Sequence, residues 1–566
     1  MKILSLHADY IKFKPLKKAL KKIEELSEQE KKETHVKDVL TILTAVEKGD
    51  TDIAGIAKEL VANVKELAEQ VKAKNIVLYP YAHLSKDLAS PEIAMKVLEK
   101  AEEELKKSFK VTKAPFGYYK EFEIKVKGHP LSELSREIKV GEGKEEKYNT
   151  AQLLREVSKS KLDTSKLKDN DHRILGQQMD LYSFNETAPG MVFWHNNGLI
   201  IKDELINFWK QVHKQNGYQE VSTPQILDKK LWQISGHWEK YKENIFLTDY
   251  EKRTFAVKPM NCPGGILIYK TRPKSYRDLP LKVAELGIVH RQELSGVLGG
   301  LFRVIQFIQD DAHIYCDEKQ LEEEIVKIME LVEYFYSKVF NFSYHVELST
   351  RPAKRIGSNQ IWDKAEDVLE KVLSKKKIKY KLNKGDGAFY GPKIDFHLKD
   401  SLGREWQCGT IQLDFSMPER FDMEYIDKDN KRKKPVMIHR AIYGSLERFI
   451  GILIEHYRGR LPTWLAPVQV RVLSFTDRNE NYSKKVIKQI ADSVPRLRID
   501  ADFRQTNVPS KVKDAEIMRI PYIIVVGDRE EKENTLAVRV KGDKTIKALK
   551  INDFIKNLKQ EIDEKK

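Results

Sequence analysis

No run in this chain approaches the ~20 consecutive apolar residues that cross a bilayer. The opening residues, Met-Lys-Ile-Leu-Ser-Leu-His-Ala-Asp, reach charge too early for an export signal. Neither membrane insertion nor secretion is expected, and the cytoplasm is the expected compartment. Cysteine is nearly as scarce. Cys262, Cys316 and Cys408 are the only three in 566 residues, too few for a disulfide framework, which leaves metal binding or burial as their roles. What the chain has in quantity is charge. Lys and Arg number 101 against 85 Asp and Glu, a net +16 with a pI near 9.2. An excess of that sign favours an anionic partner, nucleic acid being the usual one. A charged fraction of 33% also suits the Lys/Glu-rich surface of a heat-adapted protein, so charge alone does not choose. At ~100–200 residues per domain the length predicts roughly three to five domains.

The most informative stretch is Leu286 to Tyr315. Two apolar-rich runs, Leu286 to Val289 and Leu301 to Ile308, flank a loop with Gly296, Gly299 and Gly300, and together they predict a β-hairpin. Arg291 and Glu293 leave the first strand, Arg303 and Phe307 lie on the second, and Gln309, Asp310, Asp311 and His313 crowd its exit. Guanidinium forks make paired hydrogen bonds to phosphate oxygens, and an aromatic on the same face stacks on a purine. The set therefore predicts a nucleotide site built on strands. The plainer alternative is an exposed hairpin laced by surface ion pairs, each worth roughly 0–1 kcal/mol.

His290-Arg291-Gln292-Glu293 followed by Arg303 and Phe307-Ile308-Gln309-Asp310-Asp311-Ala312-His313 resembles motif 2 of a class II aminoacyl-tRNA synthetase of the threonyl type. Lys258-Pro-Met-Asn-Cys-Pro263 precedes it. Trp406-Gln-Cys-Gly-Thr-Ile-Gln-Leu-Asp-Phe415 and His439-Arg-Ala-Ile-Tyr-Gly-Ser-Leu-Glu-Arg-Phe449 follow, in the family's order. The resemblance implies a fold of α/β and α+β domains, whose catalytic domain is the class II antiparallel sheet. It also implies ATP, threonine and tRNA(Thr) as partners. Gly217-Tyr-Gln-Glu-Val-Ser-Thr-Pro-Gln-Ile226 resembles motif 1, whose proline, here Pro224, implies a homodimer.

Along the chain, Lys2 to His7 reads as a strand and Leu16 to Leu26 as a helix. Asn75 to Tyr81 reads as a buried strand, and Ser90-Pro91-Glu92 opens a helix with a cap followed by proline. With Ala114-Pro-Phe-Gly-Tyr-Tyr-Lys120, the alternating Glu121 to Val126, and Gly128 to Arg136, these segments resemble the archaeal editing domain, similar in fold to D-aminoacyl-tRNA deacylases. Residues 1–140 form this domain and 141–171 a charged linker with a short helix at Ala151 to Val157. The catalytic domain covers 172–465. Strand-like Val468 to Phe475, Leu497 to Ala501, Tyr522 to Val526 and Ala537 to Val540 alternate with helical segments, predicting a mixed-sheet α/β domain over 466–566. That domain resembles the class IIa anticodon-binding domain. It carries 22 Lys and Arg against 16 Asp and Glu, enough to attract phosphate but not to read bases.

Amino-acid activation needs a carboxylate placed in line with the α-phosphate of ATP and the developing charge neutralised. By resemblance, Arg291 holds the α-phosphate and Arg448 the γ-phosphate, Phe307 stacks on adenine, and Glu293 holds its edge. Arg303 and Gln309 touch the adenylate and the transferred carboxylate, with Lys393 counted among the catalytic residues and magnesium (Mg2+) accompanying ATP. Met260, Asp311, Tyr390, Gln407 and Ser445 are the implied threonine pocket. Thiolate and imidazole are zinc donors, yet the separations of Cys262, His313 and His439 match no zinc finger. The resemblance is what implies one zinc (Zn2+) on those three. It also implies His83, Tyr119, Lys120 and Glu133 in editing, and Arg519, Glu530 and Arg539 at the anticodon. The 14 histidines include no pair four residues apart, which excludes the His-x-x-x-His word of the bacterial editing domain.

Two positions depart from the family pattern. Gly265 stands where histidine is common, and Arg303-Val-Ile-Gln-Phe307 lacks the arginine–glycine pair usual before the phenylalanine. Two other readings stay open: a tRNA-binding regulator that has lost catalysis, and a class II ligase for serine or proline, against which the Cys262, His313 and His439 trio argues.

Overall fold

The computed structural model describes residues 1–20, 23–138, 167–400, 403–543 and 545–565, in two compact units, Met1–Thr150 and Ala151–Lys566. The expected linker lies outside the described residues apart from 167–171, and its expected helix at Ala151 to Val157 lies wholly outside them.

In the first unit, strands β1 (Lys2–Lys18), β2 (Thr34–Ala45), β3 (Asn75–Pro80), β4 (Lys110–Lys113) and β5 (Tyr118–Val126) pair in the order β4-β3-β2-β1-β5. Strand β6 (Glu133–Glu137) also pairs with β1, at its Lys2–Leu6 end. Helices α1 (Ile53–Val71) and α2 (Pro91–Lys106) start where Asp52 and Ser90 accept the backbone N–H groups of Gly55 and Ile93. Their apolar stripes, including Leu60, Val64, Val97 and Leu105, pack with Ile3, Ile42 and Ile76 in one core. Phe13, Leu43, Val77 and Tyr79 form a second core. Along β1 the residues that join it change from even (Leu4, Leu6, Ala8) to odd (Ile11, Phe13) across a bulge between Ala8 and Tyr10; such an extra residue re-aims a strand.

Among the described residues of Leu16 to Leu26 the expected helix is absent. Strand β1 continues to Lys18, opposite Tyr118, and the side chains of Leu20 and Ile23 instead close over Gly117, where a Cβ would stand 2.2 Å from Ile23 Cδ1. Ladder pairing overrode a helical apolar spacing.

The second unit is built on an eight-stranded sheet. Its order is Tyr380–Asn383, Tyr344–Ser349, Lys393–Lys399, Glu405–Asp414, Val436–Ala441, Gln306–Cys316, Leu281–His290, Gln219–Glu220, antiparallel except for the two outermost pairings. Helices Asn196–Gln215, Leu321–Glu333, Asn359–Lys375 and Leu446–His456 supply Trp209, Ile325, Leu369 and Phe449 to the core that also holds Phe396 and Ile411. The opposite side of the central strands stays open.

The hairpin forms, but its second strand is shorter at the start than expected. Pairing runs from Leu281↔Tyr315 to His290↔Gln306. Leu301 and Phe302 lie in a one-turn helix, so Arg303 precedes the strand instead of riding on it. Of the three loop glycines only Gly300 has a positive φ, +56°.

The C-terminal part is a five-stranded mixed sheet ordered Ile499–Asp502, Val470–Ser474, Tyr522–Val526, Thr535–Val540, Ile546–Lys550. The last strand and the short helix Asp528–Glu533 were not expected from sequence; Ile546-Lys-Ala-Leu-Lys550 is an exposed edge spaced with lysines, and such strands bury little. Arg498 ties this sheet to the catalytic region, donating to Glu204 Oε1 at 2.6 Å and to the carbonyls of Trp464 (2.6 Å) and Ala466 (2.8 Å).

Candidate active site

The open side of the eight-stranded sheet holds a cavity of about 380 Å³, within the range of ligand sites. Every residue that the resemblance implied in activation, threonine binding or zinc binding lines it. Met260 lies just before helix Cys262–Tyr269, and Cys262 opens it. Arg291, Glu293 and Arg303 come from the hairpin loop, and Phe307, Gln309, Asp311 and His313 alternate along strand Gln306–Cys316. Tyr390, Lys393, Gln407, His439, Ser445 and Arg448 complete the wall.

The arginines are held by backbone and by one another's neighbours. Arg291 donates from Nε to the Pro259 carbonyl (3.1 Å), and its guanidinium lies 5.2 Å over the Phe307 ring. Arg448 donates to the carbonyls of Phe302 (2.9 Å) and Gln407 (3.0 Å). Arg303 Nε donates to Glu293 Oε2 at 3.0 Å. The departures at Val304 and Ile305 have a packing role: both are buried, and Ile305 donates its N–H to the Gly190 carbonyl and accepts the N–H of Arg291.

At the far end of the cavity Cys262, His313 and His439 are buried with one donor atom of each within 4.8 Å of the others. Asp414 Oδ2 lies 2.9 Å from His439 Nε2, leaving that ring's other nitrogen for a ligand. Burial raises the Cys262 thiol well above its usual range, and Asp311 and Asp414 raise it further. A thiolate there calls for a nearby cation, so the donor set fits a zinc ion with a fourth position open to the cavity. Gly265 leaves room beside His313, whose Nδ1 would be 3.6 Å from an added Cβ. Asp311 is pushed up to about 6, chiefly by burial, against the opposing hydrogen bond from Asn261 Nδ2 at 2.7 Å.

Several residues in the recognisable words have roles that sequence reading did not assign. Thr410 and Gln412 line the cavity; the strand's alternation would have found them but for the irregularity between Phe396 and His397, which shifts the pairing of Gln407 relative to Gly409. Asn261 fits only because position 287 is glycine, where a Cβ would fall 2.0 Å from its Oδ1. Asp310, fully buried, accepts the backbone N–H groups of Ile442 (3.0 Å) and Gly444 (2.8 Å) and the Trp209 indole N–H (3.0 Å).

In the first unit Lys120 is half-buried, donates to the carbonyls of Pro115 (2.8 Å) and Tyr118 (3.1 Å), and lies 5.0 Å over the Tyr79 ring. Tyr79 contacts Tyr81, which contacts His83 at 5.5 Å between ring centroids. Tyr119 is exposed beneath Lys17, and Glu133 sits opposite Leu6. Among the described residues no hydrogen bond or ion pair joins His83, Tyr119, Lys120 and Glu133 to one another. In the C-terminal part Arg519 and Arg539 line one cavity of about 200 Å³ with Arg460 and Lys541. Glu530 lies apart from that lining, accepting the Gly527 N–H at 2.9 Å.

Residues 1–138 match the family described as the archaea-specific editing domain of threonyl-tRNA synthetase. Residues 241–457 match the class II tRNA synthetase core domain (G, H, P, S and T), and 469–561 an anticodon binding domain. A threonine–tRNA ligase of Desulforamulus reducens is 52% identical over 398 residues, covering 70% of this chain and 62% of its own length. The chain thus spans about three-fifths of that curated relative. The solved RNA-binding domain of threonyl-tRNA synthetase from Cryptosporidium parvum is 38% identical with a TM-score of 0.66, and covers 69% of this chain and 98% of its own. A Giardia lamblia prolyl-tRNA synthetase, 15% identical with a TM-score of 0.56 over 70% of this chain and 80% of its own, shares the fold. With its editing, class II core and anticodon-binding regions in this order, the chain belongs to the threonyl-tRNA synthetase family.

Proposed function

We propose that this protein joins threonine to tRNA(Thr) in two steps, through a threonyl-adenylate made from ATP, and hydrolyses mischarged seryl-tRNA(Thr) in its N-terminal domain. The carrying observation is the convergence of Arg291, Arg448, Phe307 and the Cys262, His313, His439 trio on one cavity. Arg291 and Arg448 neutralise phosphate charge from anchored positions, and Arg303, Gln309 and Lys393 border the reacting carboxylate. Magnesium would accompany ATP. A zinc on the trio, when bound, would engage threonine's amino and hydroxyl groups, which valine cannot match; rejecting a missing hydroxyl in this way is worth ~10⁴ or more. Asp311 holds the ammonium, and Met260, Tyr390, Gln407 and Ser445 shape the pocket.

Serine offers the same two groups and lacks only a methyl, a difference of roughly 1–3 kcal/mol, so a correcting site is needed. Lys120, with His83, Tyr119 and Glu133, supplies it within 1–140. Tethering through 141–171, catalysis within 172–465, and anticodon reading by Arg519, Glu530 and Arg539 within 466–566 complete the assignment, in the cytoplasm. A homodimer is supported by the exposed Ile226, Leu247 and Tyr250 on the small sheet that follows Pro224. Among the described residues no helix is long and apolar enough to cross a membrane.

ATP–pyrophosphate exchange across a panel of amino acids tests the reading. Threonine should support exchange, serine weakly, and valine and proline not at all; equal exchange with proline or none with threonine would refute it.

A further inference from the structure

A second set of metal-type donors lies outside the cavity. Strands Tyr344–Ser349 and Lys393–Lys399 place His345 directly opposite His397, and Glu347 leaves the same face two positions along. The imidazoles stack with centroids 4.9 Å apart and planes 15° from parallel. His345 Nε2 is 3.4 Å from one oxygen of Glu347, and His397 Nε2 is 3.7 Å from the other. One donor atom from each of the three lies within 4.8 Å of the others.

Three further observations bear on what this cluster takes. The donors sit on paired strands, and Glu347 is only 7% exposed at its side chain, so they are held in place rather than gathered from flexible loops. The remaining nitrogen of His345, Nδ1, faces Glu405 at 3.8 Å, the carboxylate–histidine arrangement that orients a ligating imidazole. The cation now beside Glu347 is Lys381, 3.0 Å from Oε1 but 73% exposed, free to withdraw into water; Asn383 donates to the other oxygen at 3.2 Å. Asp395, across from Glu347 in register, is engaged by Ser349, Gln407, Thr410 and Lys393.

We propose that His345, Glu347 and His397 bind a divalent transition metal of the zinc, cobalt or nickel class, at a site separate from the Cys262 trio. Two imidazoles and a carboxylate suit such ions better than magnesium or calcium, which prefer all-oxygen sites. The bound ion clamps two adjacent strands of the catalytic sheet, next to the residue pair His397↔Gln407 through which this edge meets the cavity.

The test is cobalt(II) titration of the full-length metal-free protein, with bound metal counted after desalting and the visible spectrum recorded. Two equivalents are expected, one carrying an intense thiolate-to-cobalt band and one without it. His397→Gln should lose the second and keep the first; Cys262→Ser should do the reverse, so failure of the proposed zinc trio is distinguishable from failure of this site. Glu347→Gln, which keeps shape and neutralises the charge beside Lys381, should weaken the second site at least tenfold. The Cys262→Ser variant should also gain thermal stability on cobalt addition, and lose that gain when His397→Gln is added. A second equivalent unaffected by both His397→Gln and Glu347→Gln, or its absence from the wild type, overturns the proposal.

Discussion

The ring of His172 accepts a hydrogen bond at Nε2 from the backbone N–H of Leu301, 3.0 Å away. Its Nδ1 lies 2.8 Å from Glu455 Oε1, so the neutral ring carries its proton there. The contact depends on Gly300, whose missing Cβ would stand 2.3 Å from Nε2. One residue further, the Phe302 carbonyl receives Arg448. The fully buried His172 thus underpins the loop on which a proposed ATP arginine rests. His172→Phe should raise the KM for ATP in exchange about three- to tenfold, the worth of one hydrogen bond, with the KM for threonine unchanged. Equal effects on both would reduce His172 to a packing residue.

Glu447, buried beside Ile308 whose N–H it accepts at 2.9 Å, is raised by burial from 4.5 to about 7. Between those values the folded protein holds this proton more tightly than the unfolded chain does. Stability therefore falls as pH rises from about 4.5 to 7 and levels off above, by up to roughly 3 kcal/mol. Glu447→Gln should flatten that slope in urea unfolding at pH 5 and pH 8; an unchanged slope would show that another group causes it.

Burial lowers Lys120 to about 8. If its ammonium stabilises the oxyanion during seryl-ester hydrolysis, clearance of preformed seryl-tRNA should decline as pH rises through about 8, once the background of the Lys120→Met variant is subtracted. That variant should charge threonine normally and accumulate seryl-tRNA. Rapid clearance by it would make the lysine a bystander.

Each of the three guanidinium nitrogens of Arg498 donates a hydrogen bond at the join between catalytic and C-terminal regions. Arg498→Met should cost about 2–3 kcal/mol, seen as earlier proteolysis of residues beyond 466, while exchange persists and aminoacylation slows. Equal loss in both assays would place its effect in the catalytic fold.

Arg539→Ala, at the cavity shared with Arg519, should lower aminoacylation at least tenfold, the scale of one bidentate base contact, without touching adenylate formation. A matching loss in exchange would reject the anticodon role.

What could be read from sequence follows from how each residue acts. Arg291, Asp311, His313 and His439 sit on strands or at their ends, where period-two spacing within a recognisable word fixes their direction. The three C-terminal helices and four of its strands were readable for the same reason. Arg303 was misplaced because the 291–305 loop folds through one-turn helices stabilised by remote partners, His172 among them, which no local pattern records. The Leu16 segment failed because a neighbouring strand, 100 residues away, claimed its backbone. Asn261 and Asp310 stand in recognisable words but carry no role there, since their worth lies in whom they support: a glycine opposite one, and three N–H groups around the other.

Those supports reach further than the site itself. Glu447 takes the Ile308 N–H, Gln309 bridges to Ser445, and Asp310 takes the N–H groups of Ile442 and Gly444. The two chain segments that would grip opposite ends of ATP are thereby basted together at three consecutive residues. Their relative placement is settled once, when the chain folds, and need not be ordered again at each turnover, so the entropy of assembling the grip is absent from the binding step.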